Sequence, residues 1–309
     1  MKKLTLTLAA LLAVSSVTVA KEIVAAPAVA IEPTVVVAEE KVDIVAETPA
    51  SRDFKFVNFN LMHGNGMTAL GPKANDTYLE IEIGGRKGAF DFYGYIDFSD
   101  VVHNEEFSDF NEKSNEAGNT NFFAELMPRI SMNELLDVNL SFGPVKEVYL
   151  AGYLKAGESD LWINGLGLGT DIEVPWLGTM GLNAYALYVA EDFGSEREGK
   201  WDGYLVSANW FKPFYFFDNG TFLSYQGYMN YSFDANYNNS KDNFVGQRTS
   251  DEYQWFNGLF WHSSDYALGY GLKYTKNMMN VKDGSFDNST GRENDADGFS
   301  HFFVATYKF

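Results

Sequence analysis

Residues 78–83 read Tyr-Leu-Glu-Ile-Glu-Ile, and residues 90–98 read Phe-Asp-Phe-Tyr-Gly-Tyr-Ile-Asp-Phe. In an extended chain, phenols and carboxylates at every second position share one face and hydrocarbon takes the other. Tyr78, Glu80 and Glu82 therefore belong together, as do Asp91, Tyr93, Tyr95 and Asp97. The same alternation over residues 121–131 sets Phe123, Glu125, Met127 and Arg129 against Leu126 and Ile130. Residues 145–155 add Glu147, Tyr149, Tyr153 and Lys155, and residues 265–276 add Lys273 and Thr275 between Tyr270, Leu272 and Tyr274. Aromatic faces stack on flat rings, at roughly 1–3 kcal/mol per base in nucleic-acid sites, and carboxylates accept hydrogen bonds from hydroxyl and amino groups. A small, mostly uncharged molecule with both an aromatic ring and a sugar matches such a surface. The same ionised groups would equally serve as a network that braces a wall without touching solute, because buried charges must be paired whatever the function.

Other constellations carry less. His63, His103, His262 and His301 are dispersed across loops and strand ends, and the sequence shows no constellation that sets one of them to work with a nucleophile or carboxylate, so the chain does not read as an enzyme. Gly165, Gly167 and Gly169 echo a dinucleotide fingerprint, but their spacing is that of a strand, and small residues where a wall packs closely explain them better. Asp295-Ala296-Asp297-Gly298 is a fragment of a calcium loop without the remaining ligands and reads as solvated acidic loop. Cysteine is absent, which excludes disulfides and a lipid-modified N-terminal cysteine. No metal site or cofactor is predicted. A net charge of −19 opposes binding to a phosphate backbone, so no nucleic-acid partner is expected.

The elements that would position these side chains follow from the same period. Twelve alternating runs span approximately residues 53–62, 77–84, 88–98, 121–131, 145–155, 160–172, 179–190, 200–211, 221–233, 252–262, 265–276 and 299–309. Each is about long enough to cross a tilted barrel wall. Aromatics make up 16% of residues although no run beyond the N-terminus is apolar enough for a membrane helix, and alternation explains both facts. The last strand turns Phe303, Ala305, Tyr307 and Phe309 to one side, as the closing strand of an outer-membrane barrel does. Connections at residues 84–88 and 263–265 are tight, while 99–120, 234–251 and 277–298 are long and polar. The expected fold is all-β: a twelve-stranded antiparallel transmembrane barrel of the bacterial outer membrane, set in lipid and lipopolysaccharide, with both termini periplasmic. About twelve strands enclose a narrow passage.

Lys2 and Lys3, the apolar run to Val14 and the small residues to Ala20 predict a secretory signal over residues 1–20. Residues 21–52, rich in Ala, Val, Pro and Glu, read as a flexible periplasmic segment ahead of a barrel at 53–309.

Several motifs carry a family resemblance: Asn75-Asp76-Thr77-Tyr78-Leu79-Glu80; Phe90 to Tyr95 with Asp97; Pro128-Arg129 with Ser131; Leu140 to Pro144 with Lys146-Glu147; Gly167 to Ile172; and Trp201-Asp202-Gly203-Tyr204. In this order, from about residue 54 onward, they resemble the Tsx nucleoside-channel family, including its OmpK-like members. The resemblance implies an outer-membrane channel for inward diffusion of nucleosides and deoxynucleosides, and some members serve as phage or colicin receptors. It carries over to Tyr78, Glu80, Asp91, Tyr93, Tyr95, Asp97, Arg129, Glu147 and Asp171, as candidate pore-lining groups alongside Glu82, Glu125, Tyr149 and Lys273. A surface-attachment role for the acidic loops and a general small-solute pore are the alternatives.

Overall fold

The computed structural model describes residues 53–102, 122–157, 160–237, 246–288 and 291–309. The predicted signal and the segment at 21–52 lie outside them, as do His103 and most of the 99–120 connection. Twelve strands close an antiparallel barrel: β1 (Phe54–Ala69), β2 (Gly71–Lys87), β3 (Phe90–Phe98), β4 (Phe122–Ser131), β5 (Val145–Gly157), β6 (Leu161–Val174), β7 (Gly178–Asp192), β8 (Lys200–Phe216), β9 (Phe222–Phe233), β10 (Glu252–His262), β11 (Tyr266–Lys276) and β14 (Gly298–Lys308). Two further short strands, β12 (Phe286–Asp287) and β13 (Arg292–Glu293), form a hairpin of their own within the connection from β11 to β14. Every barrel strand pairs with its chain neighbours, and β14 closes the ring on β1 from Asn58 opposite Lys308 to Asn65 opposite His301. Closure of the ring leaves no open edge around the wall, as a bilayer requires.

The two faces separate as the alternation predicts. Phe299, Phe303, Tyr307, Leu259, Leu268, Leu166 and Leu168 are exposed on the outside. Ring pairs run around the outer face from strand to strand at one end: Tyr188–Trp201, Tyr204–Phe233, Tyr231–Tyr253, Tyr253–Tyr274 and Tyr274–Phe299. At the end that carries Phe54 and Phe309, Phe59–Phe309 and Tyr266–Tyr307 form a second set. Two aromatic girdles around an apolar band are what a barrel needs to sit at two membrane–water interfaces.

Connections at the end that carries Phe54 and Phe309 are compact. Lys87 pairs with Phe90 across a two-residue turn in which Gly88 takes φ 54°, a conformation that favours glycine. Ser263 and Tyr266 close another turn by reciprocal bonds. The connection after Ser131, longer than a tight turn, folds as a five-residue helix, α1 (Met132–Leu136), capped by the Ser131 side chain on Glu134 N–H at 3.2 Å.

Two boundaries differ from the sequence expectation. The first two strands do not stop near residues 62 and 77 but continue as one tall hairpin to a tip at Leu70. Glycines at 64, 66 and 71 and register shifts after Gly64 and Met67 break the apolar period there, while the backbone ladder persists and Asn75 Oδ1 accepts from Gly66 N–H at 2.8 Å. The long 277–298 connection, expected to be solvated acidic loop over residues 295–298, is folded where described: Asn277, Asn280, Val281, Asn294 and Ala296 are buried. Its acids serve the backbone, Asp297 accepting from Asn277 N–H at 2.6 Å and Asp295 from Lys73 N–H at 2.9 Å.

Candidate functional site: the lumen

Bonds that skip strands identify the interior. Arg86 on β2 reaches Glu147 and Tyr149 on β5, three places around the ring, and only the lumen offers such a path. With that parity fixed, Tyr78, Glu80, Glu82, Asp91, Tyr93, Tyr95, Asp97, Glu125, Arg129, Glu147, Tyr149, Asp171 and Lys273 all point inward, since each shares a face with a residue opposite it in the ladder. They divide into two groups with different surroundings.

The first group lies toward the end that carries Phe54 and Phe309 and is mutually satisfied. Arg86 forks onto both oxygens of Glu147 at 2.8 and 2.6 Å and donates to Tyr149 at 3.0 Å, while Ser131 completes the Glu147 shell. Arg129 Nε donates to Asp91 at 2.8 Å and its Nη1 to Asp171 at 3.0 Å. Tyr149 O–H donates to Asp171 at 2.6 Å, and the Arg129 guanidinium lies 4.1 Å from the Tyr149 ring centre. Planar guanidinium groups suit this bidentate pairing, which joins β2 to β6 through the inside of the wall.

The second group lies midway along the barrel and spans it. Tyr93 and Tyr95 on β3 sit 6.4 Å apart, ring centre to ring centre, and Tyr95 lies 6.1 Å from Phe123. From β9, six places away and therefore diametrically opposite, Tyr228 comes within electrostatic reach of Tyr78, Tyr93 and Tyr95. Phe256 stacks on Tyr228 at 5.7 Å, Phe302 meets Phe256 edge-on at 6.1 Å, and Lys273 pairs with the Tyr228 hydroxyl. Around these rings Asn60 donates to Glu80 at 2.6 Å, Asn58 to Glu82 at 2.8 Å, Tyr93 to Glu82 at 3.0 Å, and Tyr153 to Glu125 at 2.7 Å. Asp97 Oδ1 is buried with no hydrogen-bond partner among the described residues. Tyr93 is 36% exposed, open for a lumen-facing ring. The section therefore offers aromatic rings on opposed strands, a carboxylate oxygen with no partner and a cation.

Sequence reasoning missed Tyr228, Phe256, Phe302 and Asn60 as lumen groups. The signal was present in β9, where Ser224, Gln226, Tyr228, Asn230 and Ser232 share a parity. In β14 the apolar Phe302 and Val304 share the inward face with Ser300 and Thr306, so polarity alone did not mark the face. The glycines act as small wall residues: Gly165 and Gly167 leave room over β6 for Tyr153 and Tyr185, whose rings lie 5.5 Å apart. Among the described histidines, His63 pairs with Thr77, His301 with Tyr270 and His262 with Ser224.

The family model described as nucleoside-specific channel-forming protein, Tsx, matches residues 51–309. The outer membrane protein OmpK of Vibrio parahaemolyticus is 39% identical over 259 residues, covering 83% of this chain and 88% of that protein. The nucleoside-specific channel-forming protein Tsx of Salmonella typhimurium is 33% identical over 240 residues, covering 74% and 82%. Its counterpart in Klebsiella pneumoniae is 34% identical over 272 residues, covering 80% and 86%. A closed twelve-stranded barrel with two girdles, an ion-braced lumen and a match from the first strand to the last residue agree with one another: this chain belongs to the Tsx family of nucleoside-specific channel-forming outer-membrane proteins.

Proposed function

We propose that this protein lets nucleosides and deoxynucleosides diffuse across the outer membrane, with the section between Tyr228 and the Tyr93–Tyr95 pair as their stacking site. The observation that carries the reading is that inward tyrosines stand on diametrically opposed strands, Tyr93 and Tyr95 on β3 and Tyr228 on β9, among inward carboxylates. A base slides between such faces, while its sugar hydroxyls meet the acceptors Asp97, Glu80 and Glu82 and a ring nitrogen or carbonyl meets Lys273. The remaining lumen acids and arginines, Asp91, Arg129, Glu147 and Asp171, with Tyr149, hold the wall in shape and contact solute only in passing, since their polar atoms already serve one another. Passage is downhill, so each contact must be weak enough to release: a site of about 1 mM corresponds to about −4 kcal/mol, within reach of one stacked ring and one or two hydrogen bonds. The compact turns and both ends of the barrel chain face the periplasm in this reading, with residues 1–20 a cleaved signal and 21–52 a tether.

Uptake of radiolabelled adenosine into proteoliposomes tests the assignment. Tyr228→Ala, Tyr93→Ala and Tyr95→Ala should each raise the adenosine concentration at which uptake saturates about tenfold while the barrel still folds and conducts ions. Wild-type saturation in all three would remove the stacking site from this section.

A further inference from the structure

The turn that follows β11 adopts a backbone its residues do not favour. Asn277, Met279 and Asn280 take φ of 52°, 57° and 56°, in the left-handed region, and Met278–Asn280 form a 3-10 turn. Non-glycine residues are uncommon there, Met more so than Asn, and such a run persists only where its surroundings hold it. Two buried arginines do. Arg248 Nη1 donates to Met279 O at 3.0 Å, and Arg197 Nη1 donates to Asn280 Oδ1 at 3.2 Å. Both pair with Asp192, at 3.4 and 3.5 Å, and Arg197 Nε also binds Asp202 at 2.6 Å. The backbone adds Thr249 N–H to Asn280 O at 2.8 Å and Lys282 N–H to Gln247 O at 2.7 Å.

What matters is where the clamped turn lies. Met279 packs on an inward cluster that includes Tyr153, Ile163, Leu187 and Leu205, from β5 to β8. In the ring, β11 stands three places from β8 and six from β5, so the turn crosses the barrel mouth to reach them. Asn280 lines a cavity of about 40 Å³ together with Tyr153, Lys155, Arg197, Asn230 and Gln254. The side chains there leave room for a few waters.

We propose that Met279 and Asn280 form a size filter across the mouth opposite Phe54 and Phe309, clamped by Arg197 and Arg248, that sets the largest solute admitted before any reaches Tyr228. The filter is steric and does not depend on which solute the lower section prefers. Its side chains are the part a solute must slip past, and the strained backbone makes glycine the natural replacement. In Met279→Gly/Asn280→Gly both side chains are gone and the left-handed φ values suit glycine, so the barrel should fold, as heat-modifiable migration on gels would verify.

Swelling of proteoliposomes in mono-, di- and trisaccharides, with single-channel conductance alongside, reads the cut-off directly. The double variant should raise the disaccharide rate relative to the monosaccharide roughly two- to fivefold and raise conductance in the same sense. Arg248→Met, which keeps both filter side chains but removes the clamp on the Met279 carbonyl, should shift the cut-off in the same direction. A folded double variant with the wild-type sugar cut-off and conductance would overturn the filter.

Discussion

Arg86 and Tyr228 both point into the lumen, yet their removal should fail in different ways. Arg86 is buried and its guanidinium satisfies Glu147, so Arg86→Leu strands a buried carboxylate. Breaking one side of such a pair costs about 3–5 kcal/mol. A lowered unfolding temperature and a smaller folded fraction on heat-modifiable gels are expected, with little change in which solutes pass through molecules that do fold. Tyr228→Ala should do the reverse: nearly normal stability, and nucleoside affinity weakened about tenfold, the equivalent of about 1.4 kcal/mol of lost stacking. Current block by adenosine at increasing concentration measures the second effect. At this scale the sequence was informative where polarity and parity coincided, as at Glu80, Asp97 and Arg129. It was silent at Tyr228, because tyrosines occur on both faces of β9, Tyr225 and Tyr231 outward and Tyr228 inward, and a phenol suits lipid interface and lumen alike.

The strands were legible because a bilayer forces every second side chain into hydrocarbon, and that period survives in the letters. What the letters do not carry is continuation without alternation. The upper part of β1 and β2 persists through backbone pairing alone, and the 277–297 connection is held by polar side chains whose partners lie on other loops, such as Arg197 and Arg248. Within the wall, close packing gives a sharper test. A Cβ at Gly167 would collide with the backbone at Ala184 on β7, where neighbouring strands cannot yield without loss of pairing. Gly167→Ala should therefore cost about 1–3 kcal/mol, as overpacking does, and lower the urea midpoint for barrel unfolding. A glycine in open space, such as Gly143 in the turn before β5, offers the contrast, since its replacement meets nothing and is penalised only by its φ of 52°.

Over the whole molecule, charge and shape act together on the solute. In the middle section Glu80, Glu82, Asp97, Glu125 and Glu252 outnumber Lys155 and Lys273, so a phosphate group meets a net negative field. Adenosine 5′-monophosphate should block the channel at least roughly tenfold more weakly than adenosine at low salt, and the gap should narrow as ionic strength rises and the Debye length shortens. The closed ring, the girdles and the even strand count were all implied by the sequence, and with them the fact that β3 and β9 stand opposite. That their tyrosines approach one another across the ring depends on side-chain reach, which only the structure supplies. Single-channel current through the reconstituted protein, recorded while adenosine, thymidine or a disaccharide is added, tests the central claim most directly. Concentration-dependent block by both nucleosides and none by the sugar, with the adenosine block weakened in Tyr228→Ala, is the predicted result. A pore that conducts ions but responds alike to all three solutes would contradict it.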